Sequence, residues 1–193
     1  MKNPQLPHLF IVAGRKRSLC ILAAVTLISG IAMLPAVVTM ADHGATVLDW
    51  EFAGIVERSQ EILASWGDAG KTAAWWQLGL DLPFLIGYGL FLAGACVAVA
   101  RRAQRVSKLR LERAATTIAW FGPLAAATDL LQNVSLALFL SGQETQPWPL
   151  LATTGGRITQ VLMAVGLVFV LVALAATRSS SATELAEQLG EAE

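Results

Sequence analysis

Residues 78–100 read LGLDLPFLIGYGLFLAGACVAVA, and residues 101–113 read RRAQRVSKLRLER. At 1.5 Å per residue the apolar run is long enough to cross a hydrocarbon layer of ~30 Å. Lipid cannot satisfy an open strand edge, so the run reads as a helix. The basic stretch after it marks the side on which that helix emerges, because short Lys/Arg-rich segments stay cytoplasmic.

Three more runs match the first: about 19–40, about 114–140 and about 156–176. None shows the strict two-residue alternation of a membrane barrel. The expected fold class is therefore all-α, a four-transmembrane-helix bundle. Composition agrees. The 193 residues are 55% hydrophobic and only 15% charged, with a mean hydropathy of +0.58. That is well past ordinary soluble usage and excludes a disordered tail protein and a soluble enzyme. Lys2, Arg15, Lys16 and Arg17 precede the first run, which invites a reading as a secretory signal. The run is long for a signal core, and Thr39-Met40-Ala41 is a poor cleavage site, so an uncleaved first helix is expected.

The net charge is zero, but the charges are segregated. The tail 1–18 is basic without an acid. The segment 41–77 carries Asp42, Asp49, Glu51, Glu57, Glu61 and Asp68 against Arg58 and Lys71. The segment 101–113 sets six basic residues against Glu112 alone, and the tail 177–193 is acidic. Both tails and the 101–113 loop are expected inside, with the other two loops outside. Trp50, Trp66, Trp75, Trp76 and Trp148 fall in the outer segments, where such rings anchor at an interface. The basic loop lacks aromatic interleaving, so nucleic acid is not an expected partner.

In the first outer loop, Phe52, Ile55, Val56, Ile62, Leu63 and Trp66 recur at helical spacing. One amphipathic helix of about three turns is expected over 46–67, ended by Gly67 and packed as a lid on the bundle. In the tail, Ser181-Ala182-Thr183-Glu184 fits a capping box that would start a short helix. Cys20 and Cys96 are both expected toward the reducing cytoplasmic side with no Cys-x-x-Cys, which argues against a thiol oxidoreductase and for two buried small hydrophobes.

Asp81 and Asp129 remain inside the apolar runs. A charge at a span's centre costs roughly 2.5–3.5 kcal/mol on insertion scales, and is a functional hypothesis by default. Asp129, Gln132 and Asn133 share one face of the third helix, and Asp81 and Tyr88 one face of the second. Tyr88 and Asp129 both lie about 15 Å below the outer boundary. Asp81 and Arg157 lie shallow at a common level and are expected to pair. Gln132, Asn133 and Gln160 fall between. These seven residues form the candidate polar pocket. Three readings stay open: a structural polar core, a ligand or substrate pocket, and an ion or proton path. No metal cluster, nucleophile elbow, phosphate loop or haem histidine is present in the sequence, so no cofactor is expected.

The pieces Leu48-Asp49-Trp50-Glu51, Ile62-Leu63-Ala64-Ser65-Trp66-Gly67, Leu80-Asp81-x-x-Phe84-x-x-x-Tyr88 and Asp129-x-x-Gln132-Asn133 occur in this order. Together they resemble a family of uncharacterised four-span bacterial integral membrane proteins, over about residues 45–140. Its third helix carries Asp-x-x-Glu-Asn, so Gln132 departs from the pattern and removes one carboxyl. The resemblance implies the topology and the choice of polar residues, and implies no reaction. A bacterial cytoplasmic (inner) membrane location is expected. The expected function is that of an accessory subunit, or a binder of a lipid or small hydrophobic ligand. Its partners would be the lipid bilayer and a larger membrane complex or a second copy. The alternatives are a membrane-embedded enzyme doing acid–base chemistry on a lipid-soluble substrate, and a small proton-coupled carrier.

Overall fold

Four helices long and apolar enough to cross a membrane carry the structure, as the four apolar runs predict. The computed structural model describes residues 6–190, with side chains to residue 177. The elements are α1 (His8–Ala13), α2 (Lys16–Asp42), α3 (Val47–Glu51), α4 (Val56–Arg105), α5 (Leu109–Ile118), α6 (Phe121–Leu140) and α7 (Pro147–Gly190). There is no strand among the described residues.

Helix α4 is the axis. It packs against α1, α2, α5, α6 and α7, and α6 pairs in turn with α7. Helix α2 packs along α4 and makes no comparable contact with α6 or α7. The tight crossings occur where side chains are missing. A Cβ on Gly122 of α6 would sit 2.1 Å from the Gly89 carbonyl oxygen of α4, so the two backbones touch directly. Pro123, Pro147 and Pro149 fall in the first turns of their helices, where a lost N–H matters least. Pro35 and Pro83 are internal to α2 and α4.

The segment 46–67 differs from expectation. In place of one helix over 46–67 there are two pieces. Thr46 starts α3 with a reciprocal capping box, its hydroxyl accepting from the Asp49 N–H while Asp49 accepts from the Thr46 N–H. Gly54 then takes φ 73°, which breaks the helix and leaves Phe52 and Ile55 in the connection. A second piece runs from Val56 to Gly67, where φ 56° and ψ −157° turn the chain before α4 resumes. Gly67 is thus the stop that the sequence predicts.

These two pieces pack on the end of the bundle as a cap. Trp50, Ile62, Leu63 and Trp66 are buried against Met40, Phe139 and Ala152. The Trp50 and Trp66 rings meet edge to face at 5.3 Å, and Trp66 Nε1 donates to the Ala45 carbonyl at 2.7 Å. Burial of Ile62, Leu63 and Phe139 contributes about 2 kcal/mol each where the alternative is water.

At the opposite end the basic tail folds from His8 as α1, with Phe10 buried against α4 and edge-on to Trp120 at 5.0 Å. Arg101 donates to the carbonyls of Ile11 and Gly14, closing the C-terminus of α1, and Lys108 donates to the Ala176 carbonyl of α7. Part of the basic loop therefore ties helices together. Cys96 is buried as expected, but Cys20 is exposed, because it lies on the face of α2 turned away from α4. The backbone of α7 runs on without a break to Gly190, so no helix starts at 181–184. The capping-box side chains lie outside the described residues.

Candidate functional site

Because α2 and α7 do not pack on each other, α4 and α6 are left uncovered between them. At the cap end this gap is a cleft of about 280 Å³. Its floor is Gln77, Asp81 and Phe84 from α4 and Asp129 and Gln132 from α6. Gly30, Met33 and Val37 form the α2 wall. Gly156, Thr159 and Gln160 form the α7 wall, and Val47, Glu51 and Phe52 close the top.

The polar residues of α4 and α6 meet in two rungs, as their antiparallel register dictates. Nearer the cap, Asn133 Nδ2 donates to Asp81 Oδ2. One to two turns deeper, the Tyr88 hydroxyl donates to Asp129 Oδ2 at 2.7 Å. Asp81, Tyr88, Gln132 and Asn133 are buried, and Asp129 is partly so. Gln132 lies flat against α7, where a Cβ on Gly156 would fall 2.6 Å from its Oε1. Thr128 and Thr159 add a hydroxyl pair at 2.8 Å between α6 and α7.

Six of the seven expected residues are gathered here, though not all face one space. Asp81, Asp129, Gln132 and Gln160 line the cleft. Tyr88 lines the adjoining groove between α2 and α4, and Asn133 faces the far side of α6 while its amide reaches Asp81. Arg157 does not join. It is exposed, and among the described residues the one ion pair is Arg58–Glu61. Arg157 lies at the expected depth of Asp81 but at a different angle around α7. One residue past Gly156, it is turned about 100° around the helix, away from the cleft.

Glu51 is the residue that sequence reasoning did not place in the site. It ends α3 and hangs over the cleft, with its backbone carbonyl held by the Thr153 hydroxyl of α7 at 3.1 Å. Burial, and then the charges of Asp81 and Asp129, push its carboxyl up to about 8, against a weaker opposing pull from a Gln132 hydrogen bond. Its neighbour Asp49 behaves oppositely: the Thr46 hydrogen bonds hold it below its ordinary range. The available signal for Glu51 was its place in the Leu48-Asp49-Trp50-Glu51 motif.

Gln77 completes the wall. It is only 6% exposed, and its Oε1 accepts no hydrogen bond. Three carboxyls and this carboxamide thus surround the space, and no Lys, Arg or His lines it. Chemically the arrangement can accept hydrogen bonds and carry a proton at Glu51. Among the described residues no three acidic, His or Cys side chains converge as a metal site would require. Comparison with protein families, with curated proteins and with solved structures finds no match for the chain.

Proposed function

We infer that this chain is a four-span integral membrane protein of a bacterial cytoplasmic membrane, with both tails inside, that binds a small hydrophobic ligand in the cleft beneath its cap. The charge segregation along the chain supports that topology, with the cap on the outer side. The observation that carries the binding reading is the cleft itself. Acidic and amide groups are costly in a span, and here Asp81, Asp129, Gln132 and Gln160 border an open space in addition to the Asn133–Asp81 and Tyr88–Asp129 bonds. Apolar residues from α2, α3 and α4 face them across it. That division of polar and apolar walls is the usual form of a small-molecule site.

A purification test follows. The protein reconstituted in nanodiscs would be recovered from its native membrane and its bound small molecules extracted. A compound retained by the wild type and lost from Asp129→Asn and Glu51→Gln supports the reading. Identical extracts from all three would end it.

The Tyr88–Asp129 bond favours a second reading, acid–base chemistry on the bound molecule. A carboxyl and a phenol in contact can pass a proton between them. Asp129→Asn that keeps ligand retention but changes the product profile of the cells would select this reading.

A further inference from the structure

The cleft does not end at its carboxyls. Gly30 and Phe84 also line an apolar groove of about 460 Å³ between α2 and α4. At Phe91 that groove meets another, of about 500 Å³, between α4 and α7. Along α4 the shared floor is Gln77, Asp81, Phe84, Tyr88 and Phe91, one stripe at spacings of four and three. From Gln77 to Phe91 the furrow is about 21 Å long. It is acidic under the cap and hydrocarbon-lined along the rest.

The acidic end calls for a particular head group. Its ionisable side chains are Glu51, Asp81 and Asp129, and the Gln77 oxygen is a buried acceptor with no donor. What the site lacks is positive charge carrying several N–H donors. Among the described residues no three acidic, His or Cys side chains form a metal site, so a hydrogen-bonding cation fits this space better than a bare metal ion. The apolar furrow that continues from the same residues adds a chain.

We propose that the furrow binds a long-chain primary ammonium compound, with its NH₃⁺ group among Glu51, Asp81 and Asp129 and its alkyl chain along Phe84, Tyr88 and Phe91. A primary ammonium brings three donors and one charge. The open side between α2 and α7 admits the chain from the bilayer. The inference rests on the reading of the cleft as a ligand site and adds the class of ligand.

Calorimetric titration of the full chain in phosphatidylcholine nanodiscs, with empty discs subtracted, tests it. The probes are decylamine, decanol and ethylamine. Saturable binding of one decylamine is expected, at least tenfold weaker in Glu51→Gln and in Asp129→Asn and unchanged in the exposed-acid variant Glu57→Gln. Circular dichroism of each variant confirms that it is folded. Decanol binding as tightly as decylamine, with both cleft variants weakening it, overturns the ammonium class and leaves the ligand site standing. Ethylamine binding as tightly as decylamine overturns the chain-binding half. Saturable binding by none of the three overturns both the proposal and the reading beneath it.

Discussion

Tyr88 and Asp129 face each other across the α4–α6 contact, the phenol hydroxyl donating to the carboxylate at 2.7 Å. A hydrogen bond between membrane helices contributes about 0.6 kcal/mol on average and up to about 1.7. Tyr88→Phe is expected to cost an amount in that range. Asp129→Asn keeps an acceptor and should cost less, while Asp129→Leu strands the hydroxyl and should cost more. A double-mutant cycle measured by reversible unfolding in mixed micelles would show coupling. Additive effects would mean that the pair does not interact.

The backbone contact between α4 and α6 leaves no room for a methyl group. Gly122→Ala would place a carbon 2.1 Å from the Gly89 oxygen. Separating the helices should cost about 1–3 kcal/mol or more. Gly79→Ala is the matched control, because nothing lies within 4 Å of its added carbon. It should be neutral or stabilising by up to about 1 kcal/mol. Thermal unfolding of both variants checks the contrast.

Docking of α3 should depend on pH through Glu51. Its carboxyl sits at about 8 in the folded protein against an ordinary 4.5, raised first by burial and then by Asp81 and Asp129. Between those values the folded state holds a proton that the undocked state releases, so stability is full at low pH and falls as pH rises toward 8. Amide exchange over residues 46–55, corrected for intrinsic rates, should be slower at pH 5 than at pH 9. Glu51→Gln should flatten the difference. A dependence that survives this substitution would assign the effect elsewhere.

The cap should also respond to the loss of one indole N–H. Trp66→Phe keeps most of the ring but removes the 2.7 Å bond to the Ala45 carbonyl. It leaves that carbonyl without this donor at a loss of about 1 kcal/mol. Trp76→Phe, at a ring that is 67% exposed, should change stability little. Chemical unfolding followed through the fluorescence of the remaining tryptophans compares the two.

The long helices were legible because run length is a one-dimensional property, and so was the stop at Gly67. The rungs were legible too: matching Tyr88 to Asp129 needs only a rise per residue and antiparallel order. Arg157 went astray because depth fixes one coordinate and the cleft depends on another, the angle around α7. Glu51 was missed for a related reason. Nothing local says that the chain doubles back over the bundle after α2, and only that return brings residue 51 above residues 81 and 129. The break within 46–67 is hidden in the sequence because the apolar spacing outweighs Gly54, whose positive φ splits the helix. Helix α1 carries too short a pattern to stand out from a basic tail.

The glycine contacts have a consequence for how the chain recognises itself. Helix α1 meets α4 at Gly94, α2 meets it at Gly87 and α6 at Gly89, while α7 meets α6 through Gly155 and Gly156. Each address is written by an absent carbon. A helix slid by one position along α4 would push a side chain into a slot sized for hydrogen. Partner choice and register are thereby encoded largely without ionised groups. The interior acids then add directional bonds to a register that the glycines already define, Asp81 to Asn133 and Asp129 to Tyr88.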